Sequence, residues 1–79
     1  MDARRRPHPR MDVVKLLGEN VRRYRKLADI SQEELSLRTG IKRSYISDLE
    51  RGTRNPTVRA LGQLAKGLRI EPSALLSSE

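Results

Sequence analysis

The strongest constraint on the fold lies in the middle of the chain, where helix-start and helix-stop signals follow one another closely. Ser31 and Glu34 have the spacing of a capping box, in which each side chain bonds to a free backbone N–H of the other. Ile30 and Leu35 occupy the flanking positions of a hydrophobic staple. Gly40 supplies the positive φ that ends a helix. The pattern therefore predicts a short helix that closes in a tight turn.

A second short helix is predicted directly after this turn. Its span is about residues 43–51, it stops at Gly52, and Ile46 and Leu49 mark its buried side. Two short helices joined by a tight turn can place the second helix in the DNA major groove and brace it with the first. A basic loop that ends at Pro56 follows the second helix.

Apolar residues at helical spacing predict three further helices. The first begins at Asp12, a good N-cap, and Thr57 caps another. Pro72 suits the first position of a short last helix. Because no strand pattern or internal repeat is present, the sequence predicts an all-α, compact five-helix domain over residues 12–79.

Composition argues against several classes of function. The chain has no cysteine and one histidine, His8, which lies in a polar segment. A disulfide framework, a thiolate or zinc site and a Ser/His/Asp triad are therefore not expected. There is no phosphate-binding glycine motif and no carboxylate pair in an apolar setting, so we expect no enzyme activity, no cofactor and no metal. No apolar run approaches membrane-spanning length, and we expect a soluble, cytoplasmic protein.

The charge of the chain is consistent with a polyanion binder but does not require one. The net charge is +7 and the pI is near 10.8, values that also suit an Arg-rich soluble surface. Tyr24 and Tyr45 are the only aromatic residues, which argues against a stacking platform for single strands. Residues 1–11 are predicted to be disordered, and form either a basic arm that follows DNA or an extension that adds only nonspecific affinity.

The central segment resembles the XRE-type helix-turn-helix family, which includes the Cro protein and phage repressors. The similarity runs from about Leu16 to Leu76, and the matching segments are Ser31–Leu35, Thr39–Ile41, Ser44–Ser47, Leu49–Gly52 and Arg54–Pro56. The resemblance implies a domain of the lambda-repressor type. It implies sequence-specific binding of double-stranded DNA and transcriptional regulation by a homodimer on a palindromic site. Size also makes the chain similar to the controller proteins of restriction–modification systems.

The resemblance places the N-terminal half of the predicted helix over residues 43–51, the reading helix, at the base edges. Arg43 suits a bidentate contact with guanine O6 and N7, and its alternative is a general phosphate contact. Ser44 can donate or accept, and Ser47 projects from the same side. Tyr45 is expected to touch a phosphate or a thymine methyl. Asp48 either accepts from cytosine N4 or forms a local ion pair with Arg51 or Arg43.

Phosphate contacts are expected on both sides of the reading helix. Gln32 lies at the start of the first motif helix, where free N–H groups can hold a phosphate, or has only ordinary helix-start chemistry. Lys42 replaces the usual Ser, Thr or Asp N-cap, which exchanges cap stability for a cation near phosphate. The second set of phosphate contacts is expected from Arg51, Thr53, Arg54 and Asn55. The alternative is a solvated basic turn that Asn55 initiates.

Two structural roles also follow from the resemblance. Arg25 and Glu50 match positions that form an ion pair between the first helix and the reading helix. A homodimer interface is expected at Ile70, Leu75 and Leu76, with Leu37 as a weaker candidate, although all four could instead complete the core.

The alternative function is an antitoxin-type interaction module with secondary DNA binding. Toxins and RNA polymerase are the candidate protein partners, and a DNA-binding role implies association with the nucleoid.

Overall fold

The computed structural model describes residues 12–78 as four α-helices and one C-terminal 3-10 helix. The elements are α1 (Val13–Leu27), α2 (Gln32–Thr39), α3 (Arg43–Glu50), α4 (Val58–Leu68) and the 3-10 helix (Pro72–Leu76). The predicted all-α class is confirmed. The predicted count of five helices is corrected, because the last element is too short for a regular α-helix and forms the tighter 3-10 turn instead. The arm predicted over residues 1–11 lies outside the described residues.

The first two helices begin at the predicted caps. The Asp12 side chain accepts a hydrogen bond from Lys15 N at 3.1 Å, and Ser31 Oγ accepts from Glu34 N at 2.9 Å. The second half of the predicted capping box is not formed, because the Glu34 carboxylate accepts from Arg38 Nε at 3.1 Å. A complementary charge one helical turn away has replaced the bond back to the cap.

The ends of the last two α-helices show two departures from standard caps. The Lys42 side chain makes no cap hydrogen bond at the start of α3, whereas Thr57 Oγ1 accepts from Ala60 N at 3.0 Å at the start of α4. Helix α4 ends at Leu68, and Arg69 takes the left-handed conformation with φ 62°. Glycine is the usual residue there, because a Cβ is strained at positive φ.

The helices enclose one apolar core to which every element contributes. Helix α1 packs on α3 and on the 3-10 helix, and α2 packs on α3 and α4. The side chains that are fully buried at the centre of this core are Val21, Leu35, Ile46, Leu49, Leu64 and Leu75. Leu75 has 0% exposed surface, which corrects its predicted place at a dimer interface: the core of its own chain already covers it.

Asn20 is a buried polar residue of α1. Its amide Nδ2 donates to the carbonyl oxygens of Leu75 at 2.8 Å and Ser77 at 2.9 Å. These bonds join the middle of α1 to the C-terminal segment and satisfy two of its backbone acceptors. Asn20 therefore stabilises the position of the last element of the fold.

Candidate nucleic-acid interface

Helix α3 has a buried face and an open face. Ile46 and Leu49 have no exposed surface, which anchors the helix to the core. Arg43 and Ser44 are exposed on the other side. Positions 44, 47, 48 and 51 follow the i, i+3, i+4, i+7 spacing, so they form one continuous stripe along the helix. This open stripe is the surface that α3 can present to a DNA groove.

The orientation of α3 is set by an ion pair with α1. Arg25 Nε lies 2.7 Å from Glu50 Oε2, and Arg25 Nη2 lies 3.0 Å from Glu50 Oε1, so the ion pair is bidentate. The two side chains are 11% and 4% exposed. The hydrogen bond to Glu50 raises the pKa of Arg25, which favours the charged guanidinium. The pair predicted from the sequence is therefore present at the end of α3.

The same carboxylate also fixes the start of α2. Gln32 Nε2 donates to Glu50 Oε1 at 3.0 Å, so one amide hydrogen of Gln32 is committed to the protein. Its second hydrogen, together with the free N–H groups of the first turn of α2, remains able to meet an anion. Glu50 thus connects α1, α2 and α3 at one point behind the open stripe.

The C-terminal part of the stripe is held by a local network around Asp48. The Asp48 carboxylate accepts from Arg51 Nη2, and its other oxygen lies 3.5 Å from Arg54 Nη2. Arg51 Nη1 also donates to Ser47 Oγ at 3.1 Å. Of the two interpretations of Asp48, the local ion pair is present, with Arg51 and additionally with Arg54 rather than Arg43.

The loop after α3 is tied back to the helix by Thr53 and Tyr45. Thr53 donates to the Asp48 carbonyl oxygen through both its backbone N and its Oγ1, each at 3.0 Å. The Arg54 guanidinium lies 4.4 Å from the centre of the Tyr45 ring, and Tyr45 Oη accepts from Thr57 N at 3.4 Å. The stacking of Arg54 on Tyr45 has no local sequence signature, because the two residues meet only after the chain turns back.

The remaining predicted phosphate-binding residues, Lys42 and Asn55, are exposed at opposite ends of the α3 region. The structure therefore brings all of the predicted base-reading residues onto α3. The predicted phosphate-binding residues lie at the two ends of that helix and at the start of α2. Every one of the cations Lys42, Arg43, Arg51 and Arg54 has exposed surface.

An apolar groove of about 200 Å³ lies between the starts of α1 and α4 and the 3-10 helix, and Asn55 of the loop after α3 is also part of its lining. Exposed Val13 and Val58 line it together with Leu76, which is 43% exposed. Of the predicted interface residues, Ile70 is partly buried against the core and Leu76 borders this groove. Leu37 is 76% exposed on α2 and belongs to neither surface.

Among residues 12–78, no helix combines the length and apolar character needed to span a bilayer.

Comparison with known proteins gives consistent matches. The HTH_3 helix-turn-helix family model matches residues 21–75. Control protein C.SmaI of Serratia marcescens is 42% identical over 69 residues, which cover 87% of this chain and 82% of that protein. The crystal structure of the restriction–modification controller protein C.AhdI from Aeromonas hydrophila has a TM-score of 0.76 and 37% identity, covering 78% of this chain and 94% of that one. The controller protein C.Esp1396I tetramer, in complex with its natural 35 base-pair operator, has a TM-score of 0.75 and 27% identity, covering 80% and 83%.

Proposed function

Since the chain belongs to the HTH_3 helix-turn-helix family, we propose that it is a transcriptional regulator that binds a specific double-stranded operator as a homodimer. The observation that carries the proposal is the open stripe of α3, which is anchored by two fully buried side chains and flanked by exposed cations. Relatives that are controller proteins, one of them solved on its operator, support the same role. The predicted membership of the family is confirmed by the match over residues 21–75.

Base reading is assigned to the N-terminal half of α3. Arg43 and Ser44 are exposed and make no side-chain bond within residues 12–78, so both can reach base edges without breaking a contact. Ser47 and Tyr45 contribute at the sides of this region, although each already has a partner in the loop after α3. A role for Asp48 as a cytosine reader would require its carboxylate to leave both arginines.

Phosphate binding is assigned to both ends of the stripe. Gln32 and Lys42 act on the side of the turn between α2 and α3, where the first turn of α2 adds backbone donors. The second clamp on the other side comprises Arg51, Thr53, Arg54 and Asn55. Contacts of this kind fix the position of the protein on DNA without reading the sequence.

A homodimer would present two such stripes to DNA. The apolar groove bordered by Val13, Val58 and Leu76 offers exposed apolar surface, whose burial drives association. Two-fold pairing would set the two reading helices roughly 34 Å apart, one turn of DNA, which implies a palindromic site. Ile70, which is partly buried against the core, is a further candidate for the interface.

The test is selection of binding sites from a random double-stranded library at near-physiological salt, where general phosphate attraction is suppressed. Wild type is expected to select a two-fold symmetric consensus with half-sites about one turn apart. Arg43→Ala should lose selectivity at one symmetric pair of positions. Lys66→Ala, which removes a cation at the far end of α4, is the control and should select the wild-type consensus.

Two results would contradict the proposal. An asymmetric consensus would exclude binding of a homodimer to a palindromic site, but specific DNA binding would still hold. If the folded protein enriched no DNA sequence, the result would favour a binder that requires a partner protein, such as the antitoxin of a toxin–antitoxin pair.

A further inference from the structure

Asp48 places a negative charge on a surface where DNA binding favours positively charged side chains. Between Lys42 and Arg59 the chain has two acids, Asp48 and Glu50. Glu50 is 4% exposed and is bound to Arg25, so its charge is compensated inside the fold. Asp48 is 32% exposed and lies on the open stripe itself. An acid there repels phosphates, and its compensation comes only from exposed arginines.

The contacts of Asp48 are made with the two arginines of the proposed clamp. One carboxylate oxygen accepts from Arg51 and the other faces Arg54. Both arginines also have a second contact, Arg51 with Ser47 Oγ and Arg54 with the Tyr45 ring. The two cations are therefore bonded to α3 although their side chains remain 63% and 42% exposed.

These exposed pairs have little value for stability, because ion pairs on a protein surface contribute about 0–1 kcal/mol. In DNA binding, the direct repulsion between the Asp48 carboxylate and phosphates adds to the effect of these pairs. Nonspecific affinity comes from cations that neutralise phosphates and release counterions, and a cation already paired with a carboxylate contributes less. Asp48 therefore lowers the general attraction of the clamp for any duplex.

From this geometry we propose that Asp48 is a specificity-determining positioning residue, which restrains Arg51 and Arg54 and so suppresses nonspecific binding relative to operator binding. The inference rests on the proposed function, since it assumes that the open stripe of α3 faces DNA. On the operator, base contacts by Arg43 and Ser44 offset the loss of the Asp48 pairs. On other sequences nothing offsets that loss, so the arginines stay bound to Asp48.

The test compares Asp48→Asn with wild type on two duplexes of equal length, the selected operator and a scrambled sequence, over a range of salt concentrations. Asp48→Asn keeps the size of the side chain and removes its charge. On the scrambled duplex, its affinity should rise about tenfold near 0.1 M salt, and its slope of log K against log salt should steepen by about 1–2, one phosphate per freed arginine. Operator affinity should rise less, so the specificity ratio falls at least threefold.

Two matched variants separate this effect from general charge and from misfolding. Glu34→Gln removes an acid on α2 that is also exposed and paired with an arginine, Arg38, and it should leave both slope and ratio close to wild type. Asp48→Glu restores the charge and should restore the wild-type ratio. Asp48→Asn and Glu34→Gln should melt within a few degrees of wild type, because each loses only a surface pair.

The outcomes distinguish the two proposals. An Asp48→Asn protein with the same slope and ratio as Glu34→Gln would overturn the role of Asp48 and leave operator binding intact. A change of the selected base at one symmetric position would overturn it too, because Asp48 would then be a reader. Wild type that binds neither duplex at low salt would overturn the proposed function itself.

Discussion

Arg25 and Glu50 bind each other through two hydrogen bonds, of 2.7 and 3.0 Å, where α1 meets the end of α3. The same guanidinium donates through Nη1 to the Ile30 carbonyl oxygen at 2.9 Å, and the same carboxylate accepts from Gln32. One pair of side chains therefore sets three elements relative to one another: α1, the start of α2 and α3. The position of the proposed interface depends on this pair.

Replacing Glu50 should test that dependence. Glu50→Ala leaves Arg25 with its charge, largely buried and without its carboxylate partner, and should lower the free energy of unfolding by about 3 kcal/mol. For a domain of this size the melting temperature should fall by more than about 10 °C, measured by circular dichroism. Glu34→Ala removes the exposed pair with Arg38 and should change it by only a few degrees. An unchanged melting temperature in Glu50→Ala would show that the pair does not support the fold.

The uncapped start of α3 leads to a prediction with opposite effects on stability and binding. Lys42→Ser supplies an acceptor for the free N–H groups of α3 and should stabilise the fold by about 1 kcal/mol. It also removes a cation from the proposed interface, so DNA affinity at moderate salt should fall. Lys42→Ala is the matched control, since it loses the same cation but gains no cap. A loss of stability in Lys42→Ser would mean that α3 does not begin at this residue.

Two helical glycines should respond in opposite ways to alanine. A Cβ at Gly18 would collide with the Leu49 carbonyl oxygen, where α1 crosses α3, whereas a Cβ at Gly62 would meet nothing within 4 Å. Gly18→Ala should destabilise by about 1–3 kcal/mol through overpacking. Gly62→Ala should stabilise by about 0.5–1 kcal/mol through helix propensity. Urea unfolding of both variants measures the contrast, and a stabilised Gly18→Ala would contradict the close crossing.

The proposed homodimer predicts a change in mass on substitution of one exposed leucine. Leu76→Glu places a charge beside the apolar groove and should give a monomer by size-exclusion chromatography with light scattering, with a melting temperature near that of the wild-type monomer. Leu37→Glu is the comparison, because Leu37 is exposed on α2 outside the groove. Loss of the dimer in Leu37→Glu alone would place the interface on α2. A monomeric wild type at high concentration would exclude the dimer.

Most of the helix boundaries could be predicted because their signals are local. Asp12, Ser31 and Thr57 each accept a bond from a backbone N–H three residues later, so their effect depends only on neighbouring sequence. The ion pair of Arg25 with Glu50 is long-range, and it was predicted from the resemblance to a family rather than from spacing. The missing half of the capping box has a local cause as well, because Arg38 lies four residues after Glu34, but the sequence does not decide which of the two bonds Glu34 makes.

The sequence by itself determined the all-α class, the order of the helices and the residues that α3 presents. It did not determine the burial of Leu75, the bonds of Asn20 to the C-terminal carbonyls or the pairing of Asp48 with Arg54. Each of these depends on which surfaces meet when helices distant in sequence pack together. Helical spacing assigns a side chain to a face of its own helix, but only the packed core decides whether that face meets water, another helix or a charge.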